Sequence, residues 1–447
     1  MKKVITYGTY DLLHQGHINL LRRAKELGDY LIVGVTSDSY DRRRGKLNVK
    51  NNVLERVEAV KATGFADKVI IEDYVGQKID DIQRYGVDIF AIGSDWEGQF
   101  DYLNEYCKVV YLPRTEGISS TLLRAEADGR HRFGVVGTGR IARRFIPESR
   151  VVSGVEVTSV YHPDKADAEA FAAEFGLESS FDDYDAFLAS VDAVYVASPH
   201  LTHYNYSRRA LEAGRHVLCE IPFVLSADEA RELYALAERK GVVLLEASKT
   251  AHCPGFMRLV TMVKSGVIGD VVDVRASLSK MVKPPIRELD AQQAGGSIME
   301  HGPLTLMSVI KLLGVNYSAV SFRSRMQDGV DIFTKGEIEY PHATASVTTG
   351  IGVKTEGNLV VSGTLGYVYV PAPWWLTDYF EVRYEDQTRN KKYFYGYDGD
   401  GLRYEIQEFV SMIVNGRQDS FRLTRNESVV IASILEQYRR HDHVTEM

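Results

Sequence analysis

The stretch Gly8-Thr9-Tyr10-Asp11-Leu12-Leu13-His14-Gln15-Gly16-His17 joins a β-rich run, Lys3–Tyr7, to a segment with apolar residues at Ile18, Leu21, Ala24 and Leu27. That spacing is helical. Two imidazoles separated by Gln-Gly at a helix start combine ring donors, free backbone N–H groups and the positive end of the helix dipole. Together they make an anion site. Phosphoryl and nucleotidyl transfer ask mainly for such donors, fixed in advance around the charge that develops. Taken alone, the two histidines could also do no more than cap and pack a turn.

A second chemical signal follows the strand-like Phe133–Val136. Gly137-Thr138-Gly139-Arg140-Ile141-Ala142 reads GxGxxA between a strand and a helix, the context in which glycines let a pyrophosphate approach a helix N-terminus. The next strand ends Val160-Tyr161-His162-Pro163 and has no carboxylate until Asp164. An acid there would bind the ribose of NAD, so its displacement favours NADP, with Lys165 as the candidate partner of the extra phosphate.

These loops need α/β scaffolds. Strand candidates at Tyr30–Thr36, Lys68–Ile71, Val87–Ile92 and Lys108–Leu112 alternate with helical stretches, which predicts a parallel sheet covered on both faces. A polar passage, Ala125–Arg132, reads as a linker, after which the alternation restarts and runs to about Thr250. From about Asp270 the segments become longer and β-rich, including VVDVRASLS, AVSFRSRM, ATASVTTGIG and LVVSGTLGYVYV, and predict a mixed sheet. Tyr404–Arg440 returns to helical periodicity. The expected fold is therefore α/β: a Rossmann-like domain over 1–126, a dinucleotide-binding Rossmann domain over 132–250, and a mixed-sheet α+β domain over 251–447.

Residues 1–124 carry ITYGTYDLLHQGHINLL, IGSDWEGQFDYL and VVYLPRTEGISST in that order. They resemble the HxGH nucleotidyltransferase superfamily, and closely its glycerol-3-phosphate cytidylyltransferase branch. The resemblance implies transfer of a cytidylyl group from CTP, with Mg2+, to a polyol phosphate. His14 and His17 would stabilise the pentacoordinate α-phosphate and the departing pyrophosphate. Arg114 and Thr115 would lie near the nucleotide, with Ser119 and Ser120 donating to its triphosphate. Gly8, Thr9 and Tyr10 would shape the site, Asp11 would place the acceptor or the metal, and Asp95 and Trp96 would line the cleft. In the basic run Arg42–Lys46, which reads as a loop after the second strand, Arg44 and Lys46 match the residues that close over phosphates. Arg56 is a further candidate. The stretch Lys61-Ala62-Thr63-Gly64-Phe65 departs from the family by lacking an arginine, which leaves the identity of the acceptor open.

Residues 132–447 resemble the Gfo/Idh/MocA oxidoreductases through DAVYVASPHLTHYNYSRRALEAGRHVLCEIPF and AGGSIMEHGPLTLMSVIKLLG. The resemblance implies NAD or NADP held by Gly137, Gly139, Arg140, Ile141, Tyr161, His162, Ser198, Pro199, His203 and Glu220, and a mixed sheet used for substrate and often for dimer contact. Hydride transfer in that family relies on a lysine in Glu-Lys-Pro, and usually on an aspartate with a histidine or tyrosine four residues on. Here those positions hold Ile221, Glu300 and Leu304. An alkyl side chain cannot give a proton to an alkoxide, so the standard chemistry is expected to be lost. Lys249 and His301, beside Glu300, could supply a proton from a new direction.

The bulk numbers are those of a globular protein. The 447 residues are 45% hydrophobic and 26% charged, with a formal charge of -8, which argues against general nucleic-acid binding. Three widely spaced cysteines suggest neither a disulfide framework nor a zinc site. No apolar run approaches the ~18 residues that span a bilayer, and the first residues enter a strand directly, so a cytoplasmic enzyme without membrane insertion is expected. Both resemblances imply a homodimer or higher assembly. The expected activity is synthesis of CDP-glycerol or a related CDP-alditol for a cell-surface polymer. Three alternatives stay open: a live reductase that makes the polyol phosphate, a second half that only binds or oligomerises, and an adenylyl rather than cytidylyl transferase.

Overall fold

Strand β1 (Lys3–Gly8) carries Val4 and Ile5, both fully buried, because helices cover the two faces of its sheet. It is the centre of a five-stranded parallel sheet with β2 (Tyr30–Thr36), β3 (Lys68–Glu72), β4 (Ile89–Gly93) and β5 (Lys108–Leu112), in the order β3-β2-β1-β4-β5. The chain leaves β1 toward one edge and returns on its other side at β4, so a crevice opens beyond the carboxyl end of β1. The His14–His17 segment lies there. The computed structural model describes residues 1–43, 49, 51–74, 76–113, 131–284 and 286–447. Arg42 and Arg43 end a short helix, Asp38–Arg43, rather than sitting in the loop expected from their charge.

The chain divides into two units, 1–130 and 131–447. In the second, a parallel sheet runs β11-β10-β9-β6-β7-β8, formed by β6 (His131–Val136), β7 (Val155–Tyr161), β8 (Ser179–Phe181), β9 (Ala193–Val196), β10 (His216–Glu220) and β11 (Leu244–Ala247). His131 and Arg132 belong to β6, not to a linker. A nine-stranded mixed sheet follows, with β12 (Val271–Ser279) between two hairpin systems and the helix Ser297–Leu313 packed across one face.

The mixed sheet was expected to take the C-terminal helices with it. They pack elsewhere as well. The helix Leu402–Val414 lays Leu402, Ile406, Phe409 and Met412 into the core formed by Phe133, Phe145 and Leu218, and the rings of Phe409 and Phe133 meet edge to face at 5.8 Å. The helix Arg425–Arg439 gives Ile431, Ile434 and Leu435 to the mixed-sheet core and Ala432 to the opposite Rossmann core. A division at residue 250 therefore cuts through packed structure.

Candidate active sites

In the first unit, Tyr10 and Leu12 hold φ values of 53° and 44°, a left-handed backbone costly for side chains of this size and typical of functional loops. The bend folds the Tyr10 ring against Gly8, where a Cβ would lie 2.9 Å from the ring. His14 has extended backbone and caps the helix Gln15–Glu26: its Nδ1 accepts the Gly16 N–H at 3.1 Å. An accepting Nδ1 leaves the ring proton on Nε2. The His17 ring stacks on His14 with centroids 3.9 Å apart and planes at 21°, and Tyr10 meets His17 edge on at 5.4 Å. Two stacked imidazoles at a helix start are placed to share one anion.

An open cleft of about 470 Å³ lies alongside, lined by Tyr10, Leu12, Leu13, Asn51, Glu55, Arg56 and Ala59. Thr9 donates through its hydroxyl to Asp41 at 3.0 Å, and the buried Asp11 carboxylate accepts the Asn51 N–H at 3.0 Å. Arg56 serves as a brace. Its guanidinium donates to Asn51 O (2.9 Å), Thr9 O and Thr36 O (2.8 Å each), Asp41 (3.2 Å) and Asp38 (2.5 Å), and its side chain is wholly buried. It fixes the loops that carry Thr9 and Asn51 instead of presenting a bare cation. Trp96 packs on Phe100 at 5.8 Å. Arg44, Lys46, Arg114, Thr115, Ser119, Ser120 and the Asp95 side chain lie outside the described residues, and so does the polar stretch 125–130.

Sequence reading missed Lys78. It is buried near the carboxyl end of β3, ion-paired with Glu72, with its ammonium 4.6 Å from the centroid of the Tyr7 ring. Its place in the first turn of the helix Gln77–Tyr85 gives no hint of burial, since helix surfaces commonly carry lysine.

In the second unit, Gly137 has φ +102°, and a Cβ there would sit 2.7 Å from Ala197 O. Only glycine fits. Gly139 begins the helix Arg140–Ser149 with no side-chain cap, and a Cβ added to it meets nothing within 4 Å. Uncapped N–H groups facing open space fit a dinucleotide pyrophosphate. At the end of β7, Asp164 caps the next helix by accepting from Ala166 N (2.8 Å) and Asp167 N (3.3 Å), with His162 Nδ1 accepting Asp164 N at 3.1 Å. Lys165 is exposed and 4.0 Å from Glu169. Tyr161, expected at the cofactor, is instead a core ring packed among Tyr184, Phe187 and Tyr206. It closes a buried strand, and its side chain points into the layer beneath.

Ser198 and Pro199 open the loop after β9. The buried His203 bridges that loop to the Ile221-Pro222 turn, with Nε2 2.8 Å from Ser198 O and Nδ1 2.9 Å from Pro222 O. Glu220, partly buried, accepts from the Tyr195 hydroxyl and from Ile221 N, and desolvation pushes its carboxyl up to about 7. Ile221 and Leu304 pack into the mixed-sheet core. Glu300 accepts from Arg287 at 2.8 Å and lies 3.7 Å from His200 Nε2. Burial raises Glu300 to about 7 against the pull of Arg287. Neither Arg287 nor His200 was singled out from sequence, because the helix start and the two loops that bring them together are distant in the chain. Partial burial lowers His301 to about 4, and its buried Nε2 has no hydrogen-bond partner. Lys249 donates to Asp400 O at 2.8 Å, so its ammonium turns toward the helix Leu402–Val414.

On that helix both carboxylate oxygens of Glu405 are buried without partners. Burial, then the neighbouring Glu220, raises its pKa well above the usual range, opposed by Lys249. The folded protein therefore holds a proton that the unfolded chain releases above about pH 4.5. This group costs stability progressively as pH rises from there toward its folded pKa. Glu405→Gln should raise the melting temperature of the second unit at pH 8 more than at pH 5, by the equivalent of about 1–3 kcal/mol at the higher pH. Equal effects at the two pH values, or a loss at pH 8, would mean that Lys249 and Glu405 form a charged pair.

Comparison with known proteins places both units. Residues 5–126 match the family model described as cytidylyltransferase-like, and residues 131–248 match the oxidoreductase family with an NAD-binding Rossmann fold. The glycerol-3-phosphate cytidylyltransferase of Staphylococcus aureus is 49% identical over 130 residues, 29% of this chain and 98% of that protein. D-xylose 1-dehydrogenase (NADP(+)) 2 of Haloferax volcanii is 30% identical over 321 residues, 68% of this chain and 95% of that one. Trans-1,2-dihydrobenzene-1,2-diol dehydrogenase of Oryctolagus cuniculus is 29% identical over 326 residues, 70% and 98% respectively. Among solved structures, a 3-ketoreductase from Actinomadura kijaniata in complex with NADP and TDP-benzene superposes with a TM-score of 0.64 at 24% identity, covering 71% of this chain and 99% of that one. It shares the fold.

Proposed function

From a chain that belongs to the cytidylyltransferase-like family in its first unit and to the NAD-binding Rossmann oxidoreductase family in its second, we propose that the first unit transfers a cytidylyl group from CTP to glycerol 3-phosphate or a related polyol phosphate. The observation that supports this reading most is the stacked His14–His17 pair at the helix start beyond β1. An oxygen of the acceptor phosphate attacks the α-phosphorus of CTP, which enters as its magnesium complex. One P–O bond forms to the acceptor, the bond to the β-phosphate breaks, and pyrophosphate leaves. The acceptor phosphate is already ionised at neutral pH, so no base is needed. The His14 Nε2–H, the His17 ring and the helix-start amides meet the negative charge that grows on the α-phosphate and the leaving group.

The second unit binds NAD or NADP through Gly137, Gly139 and the first turn of the helix Arg140–Ser149. When bound, the dinucleotide would supply or accept a hydride. The positions that normally handle the accompanying proton are packed into a hydrocarbon core at Ile221 and Leu304, so this unit lacks the family's standard proton donor. In this reading the chain is a working transferase fused to a dinucleotide-binding unit.

The test is pyrophosphate release with CTP or ATP and a panel of polyol phosphates. CTP with glycerol 3-phosphate, or a close relative of it, should give turnover that depends on both. Equal use of ATP, or release without an acceptor, would refute the assignment.

A further inference from the structure

The chain builds the second Rossmann sheet outward from β6 through β7 and β8, then returns to β9 on the other side of β6. In sheets of this kind the ligand crevice lies at that reversal, beyond the carboxyl ends of the two strands. The loops that follow β6 and β9 are its two lips. One carries Gly137 and the start of the helix Arg140–Ser149, and the other carries Ser198, Pro199 and His200. They come together where Gly137 passes Ala197 O.

A segment from outside that sheet reaches both lips. Residues 286–296 lead from β12 into the helix Ser297–Leu313, and two consecutive side chains in them diverge. The Glu288 carboxylate lies 3.6 Å from the Arg140 guanidinium on the first lip. The Arg287 guanidinium lies 3.3 Å from His200 Nδ1 on the second, and it donates at 2.8 Å to Glu300 on the helix that the segment enters. Neighbouring residues that hold opposite lips must bridge the gap between them, so the segment lies across the crevice as a strap.

The strap is stiff within and loosely fastened outside. The Asp290 N–H donates to Arg287 O and the Gly296 N–H to Glu288 O, both at 2.9 Å. Gly295 sits among the carbonyl oxygens of Arg287, Glu288 and Asp290, where a Cβ would lie 2.7–2.9 Å from all three. Among the described residues, only Ala294 of the strap packs against the mixed-sheet core. Ion pairs with an exposed partner hold weakly, and Arg140 is exposed. A piece built this way swings as a unit once its side-chain contacts let go, with almost no core to repack.

We propose that the strap 286–296 is a clasp over the dinucleotide, which enters and leaves only when Glu288 releases Arg140 and Arg287 releases His200. Loosening the clasp speeds entry and exit alike, so it governs exchange rates rather than affinity. This inference rests on the reading of the second unit as a dinucleotide-binding unit. It holds whether or not that unit turns over, because it concerns binding.

The test is stopped-flow fluorescence of the full-length protein with NADPH and, separately, with NADH. Association is followed on mixing, and release by a chase with excess oxidised nucleotide. Native protein is compared with Glu288→Gln, which keeps the shape and loses the charge, and with Arg287→Gln, and melting curves confirm that the variants fold. In each variant association and release should both quicken about fivefold, the scale of one loose ion pair, while Kd stays within about twofold. Should Arg287→Gln unfold the second unit by stranding Glu300, Glu288→Gln decides alone. Unchanged rates would overturn the clasp. So would a change confined to association, which would make Glu288 a repeller of the incoming pyrophosphate, or one confined to release, which would make the strap an ordinary contact. Binding of neither nucleotide by the native protein would overturn the dinucleotide reading and the clasp with it, whereas tight binding with unaltered exchange removes the clasp alone.

Discussion

His17→Ala is expected to lower CTP-dependent pyrophosphate release about 10²–10³-fold, the usual cost of removing one preorganised donor from a site that stabilises developing charge. The loss should fall on kcat more than on KM, since the donor matters most when the α-phosphate is five-coordinate. His14 allows a finer separation because it does two jobs. Its Nδ1 caps the helix Gln15–Glu26, and its Nε2 carries the proton proposed to meet the phosphate. Asparagine is among the best N-cap residues, so His14→Asn should keep the melting temperature of the first unit while losing rate on the scale of His17→Ala. His14→Ala should lose the same rate and, in addition, about 1 kcal/mol of stability. A His17→Ala protein with native turnover would remove the stacked pair from the chemistry. A His14→Asn protein with native turnover would reduce that residue to a cap.

Arg56→Ala should destabilise the first unit by about 3–5 kcal/mol, the cost of removing one member of a buried ionic network and stranding the rest. Asp41, itself fully buried, would lose its guanidinium partner, and Thr9 O and Thr36 O would lose buried donors. Arg56→Lys should recover only part of this, because an ammonium cannot reproduce five donors in a planar fork. With two units in the chain, the expected signature is a lower first transition in calorimetry and an unchanged second. An unchanged melting profile with a raised KM for CTP would return Arg56 to the role of a nucleotide contact.

Arg56 also illustrates how far the sequence could be read. Its charge, and its position at the start of the helix after the basic run, suggested a cation for a ligand. Residue type does not reveal whether a guanidinium turns outward or inward, and here three loops claim it first. The histidine motif and GxGxxA were legible because each packs its chemistry into fewer than a dozen consecutive residues between a strand and a helix, so local pattern and function coincide. Tyr161 was misread because a strand end offers two faces and its aromatic ring took the buried one. Lys78, Arg287, His200 and Glu405 were out of reach for another reason. Lys78 reads as ordinary helix surface, and the others gain meaning from partners tens to hundreds of residues away, such as Glu220 beside Glu405. Alternation of strand and helix identified both Rossmann sheets. It could not say which core the amphipathic C-terminal helices would cover.

That last packing arrangement has a consequence for the order in which the protein can be made. The first unit has its sheet and cores within 130 residues, so it can fold while the ribosome is still working. The second Rossmann sheet emerges next, yet Phe133, Phe145 and Leu218 wait for Leu402, Ile406 and Phe409 to complete their layer, and β13 (Ala319–Gln327) waits for Val444–Glu446 to pair along its edge. A nascent chain stopped near residue 400 would thus carry a finished transferase beside an open hydrophobic face. Chaperones and proteases should meet this protein mainly through that late-closing half. Premature termination near the 3′ end of its message should yield an aggregating product rather than a merely shortened one.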